Sequence, residues 1–302
     1  MGLAVAKALA DRGGWNIHLL DLNAERGKEV TKEVANSTFH QTNVTDYDSF
    51  ANVFQKVWDT EGRLDFVFAN AGIVERFSFY ETHKQSPPPP PDLTVVDINL
   101  KSVINTAWLA QHYFRQSTQS EDKNLVMTAS CGGLYPSQAS PSYSAAKFGV
   151  VGLMRSIAPT YYKKDSIRVN AICPATVRTN LLEKEAWDTW GADAVFVPIE
   201  KIVSTVLMLI DGHDVGGKSP GDGNDLKDGP DGDKNKKLYG KAVELSGTTH
   251  YYRGMLLLAN CARHIAYSKK DKLTQILRWK DQHEFCDATM RKTMLETERD
   301  NF

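Results

Sequence analysis

Cysteine is scarce: the 302 residues hold four, Cys131, Cys173, Cys261 and Cys286, with no C-x-x-C pair and no regular spacing. That pattern argues against both a disulfide framework and a zinc site. Reduced thiols in a cytoplasmic protein are the expectation. Charge of one sign is missing as well, since 36 Lys and Arg face 37 Asp and Glu and leave a net charge of −1. No global field therefore draws nucleic acid or an anionic membrane surface, and any charged partner must be recognised locally. Apolar runs long enough to span a bilayer are absent, as is a basic-then-apolar signal segment at the start. Asn36-Ser-Thr and Asn43-Val-Thr match the glycosylation triplet but carry little weight without such a signal.

What the chain does have is alternation. Up to about residue 247, short apolar runs alternate with amphipathic stretches, the pattern of a parallel sheet wrapped by crossover helices. Strands are expected at 16–21, 38–44, 64–69, 124–130, 167–173 and 241–246, and helices at 3–12, 24–35, 47–61, 95–115, 143–162 and 199–210. Such α/β sheets take ligands at the carboxyl ends of their strands, which is where chemistry is sought first.

Three segments break the alternation. Pro87 to Pro91 are five consecutive prolines, read as a stiff extended loop rather than a docking motif. Residues 214–237 hold six Gly, two Pro, six Asp and five Lys, too polar to offset chain ordering, and are expected to be a mobile surface insertion. Beyond Gly247 lies a tail in which Leu273, Ile276, Leu277, Phe285 and Ala288 have partly helical spacing. The expected organisation is one domain over 1–253, carrying that insertion, and an extension over 254–302. Two motifs are decoys. Gly212 to Ser219 fits the Walker A letters, but a helix precedes it and Pro220-Gly221 follows, where the motif needs a strand before and a helix after. Asp231 onward starts like a calcium loop, but Lys236 and Ala242 stand where the turn Gly and bidentate Glu belong.

The strongest chemical signal is Tyr143-Ser-Ala-Ala-Lys147, because a spacing of four puts a phenol and an ammonium on one helix face. A positive charge beside a phenol favours the phenolate and makes tyrosine a usable acid/base near neutral pH. Ser130 ends an apolar strand 13 residues earlier, where its hydroxyl would face the crevice.

In order and spacing these elements resemble the short-chain dehydrogenase/reductase family across residues 2–253, and Lys201 to Ile210 followed by Gly240-Lys-Ala-Val-Glu-Leu-Ser-Gly and His250-Tyr-Tyr-Arg looks most like its 15-hydroxyprostaglandin dehydrogenase-type group with its fungal relatives. Asn70-Ala71-Gly72 looks like the family's N-A-G turn, Asn99 like its active-site asparagine, and Ser130, Tyr143 and Lys147 like its catalytic residues. Arg168 to Pro174 resembles the strand leading to its nicotinamide turn. The resemblance implies a Rossmann-like doubly wound sheet and an enzyme interconverting a secondary alcohol and a ketone on a small hydrophobic molecule, working as a homo-oligomer, dimer or tetramer. By it, Tyr143 is the acid/base, Ser130 stabilises charge on the substrate oxygen, Lys147 lowers the tyrosine pKa and holds the ribose, and Asn99 supports a water relay. Asp21, closing a strand 19 residues after Gly2, stands where a carboxylate takes both ribose hydroxyls and repels a 2′-phosphate, which favours NAD over NADP. Asn43 and Val44 match the adenine-flanking pair, and Pro174, Val177 and Thr179 the nicotinamide turn, with Ala175 in place of a usual Gly. Tyr135, Gln138, Ser140, Trp187 and Trp190 flank the expected site.

The resemblance departs at the start. The family's first strand and its T-G-x-x-x-G-x-G loop are matched only from Gly2 onward. The expectation is a sheet without its first strand, from a mis-assigned start or a truncated product. The alternative function is then a catalytically inactive binding or regulatory relative. Both neighbours of the missing strand should be left with an unpaired edge.

Overall fold

The computed structural model describes residues 1–120, 122–181, 187, 194–214 and 237–253, and the statements below concern these. The expectations for the insertion beyond Asp214, for Trp190 and for the tail lie outside the described residues. The chain divides into two units, Met1–Gly254 and Met255–Phe302.

The fold is the expected α/β arrangement. In chain order it runs α1 (Gly2–Arg12), β1 (Ile17–Asp21), α2 (Ala24–Val30), β2 (Ser37–Gln41), α3 (Tyr47–Glu61), β3 (Phe66–Ala69), the short α4 (Thr94–Val96), α5 (Ser102–Gln116), β4 (Lys123–Thr128), α6 (Pro141–Asp165), β5 (Ile167–Pro174), α7 (Ile199–Asp211), β6 (Ala242–Ser246) and β7 (Thr249–Arg253). Strands β1 and β2 pair in parallel as one two-stranded sheet, and β3-β4-β5-β6-β7 form a second of five, parallel except for the last pair. Among the described residues no strand joins β1 to β3.

Local sequence explains the elements. In α3, Phe50, Val53, Phe54 and Val57 fall on one buried stripe, Asp46 caps the start by accepting from the Ser49 amide, and Gly62 closes the end at φ 64°, a left-handed turn that glycine enters freely. Strand β5 is buried along its whole length, as a central parallel strand with helices on both faces must be. Arg168 enters that strand only because every donor finds a partner. Its guanidinium pairs with Asp122 through Nε at 2.7 Å and Nη2 at 2.9 Å, and reaches the carbonyls of Leu209, Ile210 and Leu238.

Several boundaries differ from expectation. Helix α2 stops at Val30 instead of reaching Ala35, because Thr31 turns its hydroxyl to the Lys28 carbonyl, Lys32 and Glu33 tighten into i→i+3 turns, and the chain leaves through Asn36 at φ 53°. Strand β2 ends at Gln41 rather than Val44, since the Asn43 side chain accepts from the Thr45 amide and bends the chain away. The helix expected to begin near Val95 is interrupted by a π-helical turn at Asp97–Lys101 before α5 continues. Strand β7 was not expected at all: Gly247, at φ 53°, folds it back antiparallel on β6. Among the described residues, no helix is long and apolar enough to cross a membrane.

Candidate active site

The C-terminal ends of β3 and β4 and the first turns of α6 meet around one cluster. Tyr143 and Lys147 stand one turn apart on α6, and Ser130 lies just past β4, where its Oγ accepts from the Gly132 amide at 3.1 Å. The short 3-10 turn Cys131–Gly133 packs so tightly on α6 that a Cβ on Gly133 would lie 2.5 Å from the Lys147 carbonyl oxygen. Only glycine allows that approach. The Ser130 hydroxyl is close enough to the Tyr143 phenol to pull its pKa down.

Lys147 is buried, with Nζ donating to the Thr128 carbonyl at 2.8 Å and standing 5.7 Å from the Tyr143 ring centroid. Burial drops its pKa to about 8. The same burial raises the Tyr143 phenol above its usual value, while the nearby Ser130 hydroxyl pulls it down. In this geometry the phenol is thus tuned by burial and Ser130, and the lysine ammonium is committed to a backbone carbonyl.

Asn99 sits in the π-helical turn, fully buried. Such turns often mark functional positions. Its amide accepts from the Ile73 N–H and donates to the Ile73 carbonyl, both at 2.8 Å, so it clamps the strand-to-helix loop rather than touching Lys147. Gly72 lies between them: a Cβ there would meet Asn99 Oδ1 at 3.1 Å and Lys147 Nζ at 3.6 Å. Asn70 accepts from the Thr128 hydroxyl at 3.1 Å, and its amide nitrogen lies 3.1 Å from where a Cβ on Gly2 would be. Ala71, between the two, is exposed. Gly2, Asn70, Gly72, Asn99, Ser130, Tyr143 and Lys147 therefore form one neighbourhood.

The remaining candidates are spread along the same edge. Asp21 ends β1, exposed, with one oxygen accepting from the Asn23 amide at 2.9 Å. Asn43 spends its carbonyl oxygen on Thr45, and Val44 packs against the main core. Pro174 ends β5, Val177 packs on the second core, and Thr179 accepts from the Leu181 amide through its hydroxyl and from Trp187 Nε1 through its carbonyl. Of the pocket candidates, Tyr135 is half-exposed and donates to Glu244 at 2.9 Å, Gln138 is exposed, and Ser140 is the N-cap residue of α6. Among the described residues no group of three His, Cys, Asp or Glu is arranged to hold a metal ion.

Sequence reasoning missed two participants. Thr128 links Asn70 to Lys147, and Glu75 accepts from the Tyr143 amide at 2.8 Å. Neither carries a motif, because a lone threonine in a strand and a lone glutamate in a loop have no spacing to betray them.

Comparison with known proteins agrees with this geometry. A family model described as short chain dehydrogenase matches residues 1–189. The chain is similar to short-chain dehydrogenase/reductase prx7 of Penicillium rubens, 46% identical over all of this chain and 97% of that one. It is also similar to human 15-hydroxyprostaglandin dehydrogenase [NAD(+)], 33% identical over 61% of this chain and 66% of the relative. Among solved structures, gox2181 matches with a TM-score of 0.59 at 24% identity over 69% of this chain and 83% of that one. ElxO with NADP bound matches with 0.60 at 20% identity over 69% and 86%. At such identities these two speak for the fold alone.

Proposed function

The chain belongs to the short-chain dehydrogenase family and is an oxidoreductase, and from that premise we propose that it interconverts a secondary alcohol and a ketone on a small hydrophobic molecule, using NAD in preference to NADP. The observation that carries this reading is the convergence of Ser130, Tyr143 and Lys147 within one buried neighbourhood. The residues present fit a nicotinamide dinucleotide. At Gly2 and Gly72 a side chain would crowd Asn70, Asn99 and Lys147, which leaves backbone open to close approach. Asp21 offers an exposed carboxylate at the end of β1, suited to a pair of ribose hydroxyls and hostile to a 2′-phosphate. Gly2, Asp21, Asn43, Val44 and Asn70 to Gly72 would hold the adenosine and diphosphate parts, and Lys147, Pro174, Val177 and Thr179 the nicotinamide end. Once bound, that group supplies the hydride acceptor or donor.

The side chains do the rest. Tyr143 removes the hydroxyl proton in oxidation or returns it in reduction, and Ser130 donates a hydrogen bond to the same substrate oxygen, where charge develops. Burial makes the Tyr143 phenol harder to ionise, and a cation close to it favours the phenolate. Lys147, with its pKa lowered to about 8, is that cation below pH 8 and sits within reach of the ring. Asn99 keeps the loop at Ile73 in place beside the lysine. The relative named for a 15-hydroxyprostaglandin supports a hydrophobic secondary alcohol as the substrate class.

We assign the working form as a homo-oligomer in the cytoplasm. Support comes from Ile104 and Trp108 on α5 and Phe148 on α6, large apolar side chains left 44%, 65% and 43% exposed, which a second copy of this chain would cover. A second reading, binding without turnover, is favoured by the lack of a strand between β1 and β3 among the described residues. One experiment separates the two: Tyr143→Phe should lower turnover of a secondary-alcohol panel by about 100-fold or more while NAD affinity, followed by fluorescence, stays nearly unchanged. Turnover within about tenfold of the native chain sinks the acid/base assignment, and NAD binding with no turnover in the native chain selects the second reading.

A further inference from the structure

Helix α6 begins without a local cap. Ser140 at its N-cap position makes no side-chain capping bond, and Pro141 at the first turn has no N–H. The Tyr143 amide is one of the donors that every helix start leaves unpaired within the helix. Its partner comes from 68 residues away: Glu75 Oε2 accepts from it at 2.8 Å. A carboxylate at a helix N-terminus is favoured by the helix dipole as well as by the bond itself.

The same loop is held a second time. Asn99 grips both backbone groups of Ile73, two residues before Glu75, and Gly72 abuts both Asn99 and Lys147. The stretch from Gly72 to Glu75 is thus a strap fixed at one end beside Lys147 and at the other to the backbone of Tyr143. Glu75 Oε1 is buried and has no hydrogen-bond partner among the described residues. A solvated glutamate would keep both oxygens wet, so this side chain holds its place against a desolvation penalty, and the helix start is the contact that offsets it.

We propose that Glu75 is a positioning residue for the reaction: by capping α6 through the Tyr143 amide it fixes the first turn of the helix, and with it the distance from the Tyr143 hydroxyl to Ser130 and to the substrate oxygen. This rests on the acid/base reading of Tyr143. The residue touches neither substrate nor cofactor; it acts through the backbone of the one that does. Displacement of a reacting group by about 1 Å costs up to about 100-fold in rate, so the loss of one cap at this location is expected to exceed its effect on stability.

The test uses the full chain and three variants, Glu75→Ala, Glu75→Gln and Tyr143→Phe, together with the Glu75→Ala/Tyr143→Phe double. Glu75→Ala should lower kcat by about 10-fold with KM and NAD affinity within about twofold, and should speed amide hydrogen exchange at the start of α6. Glu75→Gln keeps an acceptor of the same length and should recover kcat to within about threefold of the native chain. Added to Tyr143→Phe, Glu75→Ala should cause no further loss, because the group it positions is already gone. The proposal is overturned if Glu75→Ala leaves kcat within about twofold, if Glu75→Gln is as damaging as Glu75→Ala, or if the two losses add in the double variant. Should Tyr143→Phe itself retain turnover, the acid/base reading fails and not the contact, which the exchange rate at the start of α6 reports independently.

Discussion

The two halves of the sheet are made of similar residues and reach different depths. Strand β3 reads Phe66-Val67-Phe68-Ala69, as apolar as Leu125-Val126-Met127 of β4, and β1 carries Ile17, Leu19 and Leu20 beside His18 and Asp21. Yet Leu19, Leu20, Phe66, Val67 and Phe68 are only partly buried, whereas all three β4 residues are 0% exposed. Composition alone is not the difference, since β3 is as apolar as β4. Each of β1 and β3 has one strand partner among the described residues, and β4 has two. Helices can cover the faces of a parallel sheet, but only a neighbouring strand covers its flank and pairs its backbone groups. The chemistry divides by sheet instead, with β3 on the side of β4. Ser130, Tyr143, Lys147 and Asn99 are all anchored to the five-stranded half, and Asp21, the residue proposed to choose the cofactor, to the two-stranded half.

The largest test of that contrast is Arg168→Met. Arg168 is the polar knot of the buried half, its side chain 2% exposed and tied to Asp122 and to three carbonyls. Removing it leaves Asp122 with only Lys237 and Asn124 and takes the guanidinium from the Leu209, Ile210 and Leu238 carbonyls, and should cost about 3–5 kcal/mol by chemical denaturation. The corresponding polar group on the other half is Glu61, which joins Asn16 to His18 near the surface, and Glu61→Gln should cost under about 1 kcal/mol. Comparable losses would mean that the halves are equally dry.

A second test compares apolar truncations. Leu125→Ala, in a fully buried strand, should destabilise by about 2–5 kcal/mol, and Leu19→Ala, in a half-exposed one, by less than about 2 kcal/mol. Equal values would show that the flank of β1 is covered in solution by something beyond the described residues.

The third concerns cofactor choice and reads whether the halves act separately. Asp21→Ala should shrink the preference for NAD over NADP by about tenfold, through weaker binding of the one and relief of repulsion toward the other. It should leave kcat with saturating NAD close to the native value, since no group at the β3 and β4 ends changes. A fall in kcat as large as the fall in preference would show that the two-stranded half also shapes the chemistry.

Much of this was legible in the sequence, and the remainder had physical reasons to be hidden. Tyr143 and Lys147 were legible because four residues on a helix is a local distance, and Asn70 to Gly72 because a turn needs its own residues. The β4 and β5 runs were legible because a strand covered on both faces must be apolar throughout. Helix α2 was overdrawn, since the apolar Val34 is buried without being helical. The turn residues Thr31 and Asn36 decide there, not the periodicity. The π-helical turn around Asn99 leaves no trace in an amphipathic pattern. Glu75 was invisible because its partner is set by topology alone, and a carboxylate in a loop looks solvated until the fold places it under a helix.

The smallest expected effect separates the halves by pH. His40 on β2 and His18 on β1 stack at 5.2 Å between ring centroids, with Nε2 of the first 2.9 Å from Nδ1 of the second, and His18 Nε2 faces Glu61 at 3.1 Å. One proton serves the contact between the two rings; a second would set two N–H groups against each other. Burial first, then the charges of His18 and Lys56, hold His40 below its ordinary pKa of 6.5. The sign follows from linkage: below pH 6.5 the unfolded chain binds a proton that folded His40 resists, so stability contributed here is intact above 6.5 and falls as the pH drops below it. No such group lies in β4 or β5, whose described residues include no histidine. Amide hydrogen exchange, corrected for the intrinsic rate, should therefore show the β1–β2 ladder losing protection between pH 7.5 and 5, while β4–β5 holds. His40→Gln removes the titrating group and should flatten the difference. Equal loss of protection in both ladders, or a pH response that survives His40→Gln, would place the acid sensitivity elsewhere and remove the histidine pair as its cause.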